Sequence, residues 1–267
     1  MINIIIILFT LLYTSVTYAA VSADVLNISS KRLAEDRKVV VKLPVDYQKN
    51  NNKTYPVVYV LDGETELDLT SSLLHRMYLA NEAPQHIVIG IYNTDRLRDL
   101  APTVNHDPRG PVGQGGGADK FLDFLEMELV PHINQQYRVS QDKAIIGSSI
   151  GGLFVLHSLQ SRPHLFQAHL AFSPAVWWGA RKTLKQFKHF VQHTPDLNNF
   201  LYTSIGNEGG EMREVYDSLK PTIEKHLPKQ LSFHSAVFPD VPHGLVLPAS
   251  LLDGLTALIA YNKGKQR

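Results

Sequence analysis

Residues 144 to 153 read Ala-Ile-Ile-Gly-Ser-Ser-Ile-Gly-Gly-Leu, an apolar run that breaks into G-x-S-x-G at Gly147 and resumes as Leu153-Phe154-Val155-Leu156. A short strand, a tight turn and a helix satisfy this order. A serine hydroxyl placed at the tip of such a turn, with small residues on both flanks, stands clear of its own backbone. Ser149 is therefore the candidate nucleophile, with Gly147 and Gly151 supplying room beside it. The helix that follows begins with unpaired N–H groups, so the amide of Ile150 can face an oxygen that turns negative during acyl transfer.

The rest of the chain bounds what can surround this turn. Residues 2 to 13 are almost wholly apolar, and small residues appear at Ala19, Ala20, Ser22 and Ala23. Residues 1–23 read as a secretory signal peptide cut after Ala19 or Ala23, leaving one domain over 24–267, about 245 residues. The leader lacks an early Lys or Arg, which keeps a retained anchor helix as the alternative. An exported protein, periplasmic or secreted, is the expectation. With no cysteine, stability must come from a core, and 44% hydrophobic residues suffice for one. Lys plus Arg number 26 against 25 Asp plus Glu, without a long run of one sign. Nothing in this balance argues for nucleic acid or an anionic membrane as partner, and neither is expected.

The β-branched runs Arg37–Leu43 and Tyr55–Leu61 predict two early strands joined as a hairpin through the Asn-rich turn between them. His86–Tyr92, Gln167–Phe172, Phe200–Ile205 and Leu231–Phe238 predict further strands, and Phe121, Leu122, Leu125, Leu129 and Ile133 fall at helical spacing. The series predicts an α/β fold: a mixed, mostly parallel central sheet covered by helices on both faces. Asn93–Ala118 and Val176–Asn199 read as long irregular segments walling a substrate cleft.

A serine nucleophile needs a base, and the base needs an orienting acid. Of twelve histidines, His243 lies in the turn-rich stretch Pro239-Asp240-Val241-Pro242-His243-Gly244, directly after the last predicted strand. His75, His132, His157 and His226 sit in helix-like stretches as surface or interhelical residues, His86, His169 and His234 in strand-like ones where packing explains them, and His106, His164, His189 and His193 remain further cleft candidates. The acid is expected between serine and histidine in chain order, on the loop after a strand. Gly206-Asn207-Glu208-Gly209-Gly210-Glu211 follows Phe200–Ile205 and offers two. Glu208 is nearer the strand end, Glu211 suits the first turn of the next helix, and Asp240 is a third candidate. For the second oxyanion donor, Gly63 closing the Tyr55–Leu61 run points to the backbone of Glu64. The carboxylates of Asp62, Glu64, Glu66 and Asp68 lack EF-hand spacing, and no H-E-x-x-H or paired-histidine spacing occurs elsewhere, so no metal is expected.

With these residues in view, the chain resembles the esterase family of the α/β-hydrolase superfamily. That group includes siderophore (enterobactin-type) esterases, feruloyl esterases, S-formylglutathione hydrolases and mycolyltransferases. The likeness runs through Arg37–Pro44, Tyr55 to Glu64, Asp95–Pro102, Phe121 to Pro131, Gly147–Leu153 and Ser173-Pro174-Ala175-Val176-Trp177-Trp178. It implies the α/β-hydrolase fold, with Ser149 as nucleophile, His243 as base and acid, and Glu208 as orienting carboxylate. The amides of Glu64 and Ile150 would form the oxyanion hole. One departure is Ser148, where the family often carries His. No cofactor is implied, and a small-molecule ester is the expected partner. Trp177, Trp178 and Arg96, with Tyr92, read as contacts for an aromatic or polyhydroxylated acyl group, with packing under loops the alternative for the paired tryptophans; Lys182, Lys185 and Lys188 read as attracting an anionic iron chelate or as a solvated helix face. An acyltransferase would use the same residues with an alcohol as acceptor. A non-catalytic binding module on a hydrolase scaffold is the remaining alternative.

Overall fold

In the computed structural model, which describes residues 23–49, 51–108 and 110–265, the apolar runs stack side by side in one eight-stranded sheet. In chain order the first elements are strands β1 (Ala23–Ser30), β2 (Glu35–Lys42) and β3 (Tyr55–Val60), helix α1 (Gly63–Leu79) and strand β4 (Ile87–Ile91). Helices α2 (Arg96–Leu100), α3 (Ala118–Phe124) and α4 (Val130–Gln136) follow, the last two joined by a π-helical stretch, Leu125–Leu129. Then come β5 (Val139–Ser148), α5 (Ile150–Ser161), β6 (Ala168–Phe172), α6 (Trp178–His193), β7 (Phe200–Ile205), α7 (Gly210–Asp217), α8 (Leu219–Lys225), β8 (Ser232–Val237) and α9 (Val246–Lys265). The spatial order is β1-β2-β4-β3-β5-β6-β7-β8. β2 pairs antiparallel with both neighbours, and every pair from β4 to β8 is parallel. This is the expected mixed, mostly parallel sheet. The leader read over residues 1–23 lies, apart from Ala23, outside the described residues.

The predicted early hairpin is not formed. β2 and β3 do not pair; β4 lies between them, and the hairpin partner of β2 is β1. Both runs are strands, but all six residues of β3 are buried or half-buried, as a central parallel strand requires, so its neighbours arrive by crossover rather than by a turn. Helices also form where the sequence predicted none, α2 among them within the predicted irregular segment Asn93–Ala118. The acidic run after Leu61 is the start of α1, with Glu64 and Glu66 in the first turn where carboxylates complement the helix dipole. Val176–Asn199 is mostly α6, which buries Thr183, Leu184, Phe187 and Val191 at helical spacing.

Packing lies on both faces of the sheet. One face joins Tyr59, Ile145 and Leu201 to Phe121, Phe154 and Phe187; the other joins Val60, Ile146 and Tyr202 to Leu67, Leu251 and Leu255. Each buried Val, Leu, Ile or Phe contributes about 1.5–3 kcal/mol. The stretch His243–Lys265 is long and apolar enough to cross a bilayer by composition. Its Val246, Leu247, Leu251, Leu255 and Leu258 are buried within the fold, as in a core helix of a globular domain. The parallel strands therefore all end on one edge, where Ser149, Glu208 and His243 follow β5, β7 and β8.

Candidate active site

Ser149 sits between the last residue of β5 and the first of α5 with φ 57° and ψ −117°, a conformation that costs a residue with a side chain on the order of 1–3 kcal/mol. Three backbone bonds hold it there. Its N–H donates to Phe172 O at 3.0 Å, and its carbonyl accepts from Leu153 at 3.0 Å and Ala175 at 2.9 Å. The glycines around it differ in purpose. A Cβ on Gly147 would stand 2.5 Å from Gly151 O, and one on Gly152 2.9 Å from Phe172 O, so both are required for α5 to approach the sheet. A Cβ on Gly151 would meet nothing closer than Asp62 Oδ2 at 3.4 Å.

The structure brings Ser149, His243 and Glu208 into one hydrogen-bonded line. Ser149 Oγ lies 3.0 Å from His243 Nε2, and His243 Nδ1 lies 2.9 Å from Glu208 Oε1. An ionised carboxylate only accepts, so Nδ1 carries the proton and Nε2 is free to accept from the serine hydroxyl. The Glu208 side chain is 4% exposed and that of His243 41%, which buries the acid and leaves the base at the cleft. Ser173, wholly buried just after β6, donates its hydroxyl to the same Oε1. Sequence reasoning passed over Ser173; its place between β6 and the Trp-bearing segment was the available signal.

Two helix starts, those of α1 and α5, also border this edge. Thr65 and Glu66 donate to Asp62 O, each at 3.0 Å, and among the described residues the amides of Gly63 and Glu64 have no backbone acceptor. The amide of Ile150 opens α5 in the same way. Gly63 serves close approach: a Cβ there would lie 2.6 Å from the backbone of Gly90 in β4. An open cleft of about 340 Å³ lies over these groups, lined by Asp62, Glu64, Glu66, Asn93, Arg96, Ser149 and His243 among others. Burial, with the nearby Asp62 charge, raises the Glu66 carboxyl above its usual range, against the lowering effect of the Thr65 hydroxyl. Arg96 is held more firmly charged, chiefly by its hydrogen bonds to Asp62. Among the described residues, no three His, Asp or Glu side chains have the grouping of a metal site.

The remaining predicted positions divide. Trp178 is corrected from a substrate contact to a packing residue: it is 1% exposed and its indole N–H donates to Thr103 O at 2.8 Å. Trp177 is half-buried, tilted against Trp178, and packs near Gly110. Arg96 lines the cleft, but its guanidinium is engaged by Asp62. Glu211 lies in the first turn of α7 and pairs with Arg181 at 2.6 Å, away from the His243 line.

Comparison with known proteins places this site in context. The family model of esterases, described as "Putative esterase", matches residues 30–232, which takes in Ser149 and Glu208 and stops short of His243. The chain is 31% identical over 184 residues to the ferri-bacillibactin esterase BesA of Bacillus subtilis, covering 61% of this chain and 62% of that protein. It is also 31% identical over 176 residues to the siderophore enterobactin esterase of Emericella nidulans, covering 58% of each. The chain thus spans about three-fifths of the length of the curated relatives it matches. An IroE-like serine hydrolase from Shewanella oneidensis superposes with a TM-score of 0.85 at 30% identity, over 90% of this chain and 80% of that one.

Proposed function

The chain belongs to the esterase family, and from that premise we propose that it is an exported serine hydrolase that cleaves a carboxylic ester, of the siderophore type, through an acyl-Ser149 intermediate. The observation that carries this reading is the continuous line from Ser149 Oγ through His243 to Glu208, at 3.0 and 2.9 Å. His243 Nε2 takes the serine proton as Oγ attacks the ester carbonyl, and Glu208 holds the imidazole in the tautomer that can do so. The amides of Ile150 and Glu64 receive the oxygen that becomes negative. Collapse expels the alcohol, which takes its proton from His243. Water, deprotonated by the same nitrogen, then releases the acid and restores Ser149.

The substrate class is supported by the relatives, whose names specify ferri-bacillibactin and enterobactin esterases. Export is supported by the apolar leader, and a cut after Ala19 would leave β1 whole. The test is intact-mass detection of a fluorophosphonate adduct, with turnover of p-nitrophenyl butyrate and of a ferric siderophore ester, beside Ser149→Ala. Loss of both adduct and turnover in the variant is expected, by several orders of magnitude in rate. A Ser149→Ala protein with wild-type turnover would overturn the reading.

A further inference from the structure

We propose that Arg96 is a positioning residue that locks and neutralises Asp62, so that the Asp62 carboxylate does not stand unpaired beside the oxyanion formed on attack by Ser149. The inference rests on the acyl-transfer reading above. Arg96 Nε donates to Asp62 Oδ1 at 2.6 Å and Nη2 donates to Oδ2 at 2.8 Å, a two-point grip on one carboxylate. Nη2 also reaches the carbonyl of Ser148 at 3.3 Å, so one guanidinium bridges the residue before the nucleophile and the residue that begins the α1 turn. These segments lead into the amides of Ile150 and Glu64.

Asp62 needs such a grip for two reasons. Its backbone is left-handed, φ 53° and ψ 45°, without a glycine's freedom, and its carbonyl organises the first turn of α1. Its carboxylate also faces α5: Oδ2 lies 3.4 Å from where a Cβ of Gly151 would stand. It is thus a negative group between the two sources of oxyanion donors. Asn93 Nδ2 adds a neutral bond to Oδ1 at 2.7 Å, shared with Glu64 Oε1 at 2.7 Å, whereas Glu64 and Glu66 in the same cleft offer Asp62 no cation. Among the described cleft-lining side chains, Arg96 alone supplies a permanent positive charge.

Arg96 is itself rigidly based. Asp95 caps α2 by accepting from the Arg98 amide at 3.1 Å, and Asp99 of α2 pairs at 2.6 Å with Arg37, both side chains buried. The guanidinium therefore projects from an anchored helix and spends its matched pair of donors inside the protein, which leaves a substrate anion little of it to bind.

The test compares Arg96→Gln, Asp62→Asn and the double variant with the wild type, all as full chains checked for folding by circular dichroism. Each is assayed on neutral p-nitrophenyl butyrate and on the anionic mono-p-nitrophenyl ester of succinate. Arg96→Gln is expected to lose kcat by about 100-fold on both esters, with KM moved by less than about threefold. Removing the stranded carboxylate should then help, so the double variant is expected to exceed Arg96→Gln by at least about tenfold in kcat. A defect confined to KM for the anionic ester would overturn the proposal in favour of substrate binding. A double variant no faster than Arg96→Gln would overturn it too. Should Arg96→Gln fail to fold, Arg96→Lys, which keeps the charge and loses the two-point grip, is expected to lower kcat about tenfold at unchanged KM; a rise in KM alone would overturn the proposal. A wild type without turnover or fluorophosphonate adduct removes the esterase reading itself, whereas an active wild type with no recovery in the double variant removes only the role of Arg96.

Discussion

The amide of Asn207 donates to the carbonyl of Val241 at 2.6 Å, so the loop bearing Glu208 and the loop bearing His243 are bound backbone to backbone. Gly206 makes this possible. A Cβ there would stand 2.3 Å from Val241 O and 2.4 Å from Val246 Cγ2. Gly206→Ala must therefore push the two loops apart, and overpacking of this kind costs about 1–3 kcal/mol. The expected result is a folded protein whose kcat on p-nitrophenyl butyrate falls at least about tenfold, because small misplacements of a reacting group carry large rate penalties. Unchanged kcat with a crystallographically unmoved His243 would contradict it.

Glu208 depends on Ser173 in a second way. Oε1 accepts from both Ser173 Oγ and His243 Nδ1, while Oε2 is buried without a partner among the described residues. Ser173→Ala would leave the buried carboxylate with only the imidazole. Loss of a hydrogen bond to a buried acceptor costs about 1–3 kcal/mol. For a domain of this size that corresponds to a fall in Tm of roughly 2–12 °C. A drop in kcat should accompany it, and Ser173→Thr, which keeps the hydroxyl, should restore more activity than stability. Calorimetry and steady-state kinetics on the two variants decide this; equal activities for the alanine and threonine variants would count against it.

Ser149, Glu208 and His243 announce themselves because each follows a strand and sits in glycine- or proline-rich sequence, and parallel strands deliver such loops to one edge whatever their spatial order. Strand order is another matter. Val39 to Val41 and Val57 to Val60 look alike as strands, and nothing in either run records that Ile87–Ile91 inserts between them. α6 was hidden because Lys182, Lys185, Lys188 and the flanking histidines dominate its composition, while its buried stripe holds only a few apolar residues. Trp178 shows the same limit at one side chain. Its neighbour Trp177 is half-exposed, and what sets the two apart is packing into the core and a bond to Thr103 O, both made with residues distant in sequence.

The G-x-S-x-G pattern itself can be tested glycine by glycine. Gly147 faces the carbonyl of Gly151 so closely that an added methyl cannot fit without moving backbone, whereas a methyl on Gly151 meets ordinary van der Waals distance. Gly147→Ala is expected to destabilise by about 3 kcal/mol or more, beyond the usual range for a surface change. Gly151→Ala should stay folded with stability within about 1 kcal/mol, since alanine also favours the helix interior. Urea melts of both variants provide the comparison, and similar losses from the two would show that the pattern, rather than the packing, governs the turn.

His169 gives the last test, on stability alone. It is wholly buried in β6, packs edge-on against Phe166, and neither ring nitrogen has a hydrogen-bond partner among the described residues. Burial pushes its imidazole down to about 3, and that of buried His86 down to about 4 against the opposing bond to Pro84 O. Both rings are neutral in the fold, while an unfolded chain protonates them below about pH 6.5. Protons therefore favour the unfolded state as pH falls from 6.5 through the folded values, and each ring removes about 1.4 kcal/mol per pH unit over that interval. Acidic groups held low by pairing, such as Glu35 and Glu126, add their own loss at lower pH, so wild type alone cannot isolate the effect. His169→Leu can, because it keeps the volume, forfeits no hydrogen bond and removes one titrating ring. It should match or exceed wild-type stability at pH 7, and its advantage should widen by about 1 kcal/mol per unit between pH 6 and 4.5 in urea melts. Parallel stability curves for the two proteins would mean that His169 reaches a proton acceptor or solvent in the folded state.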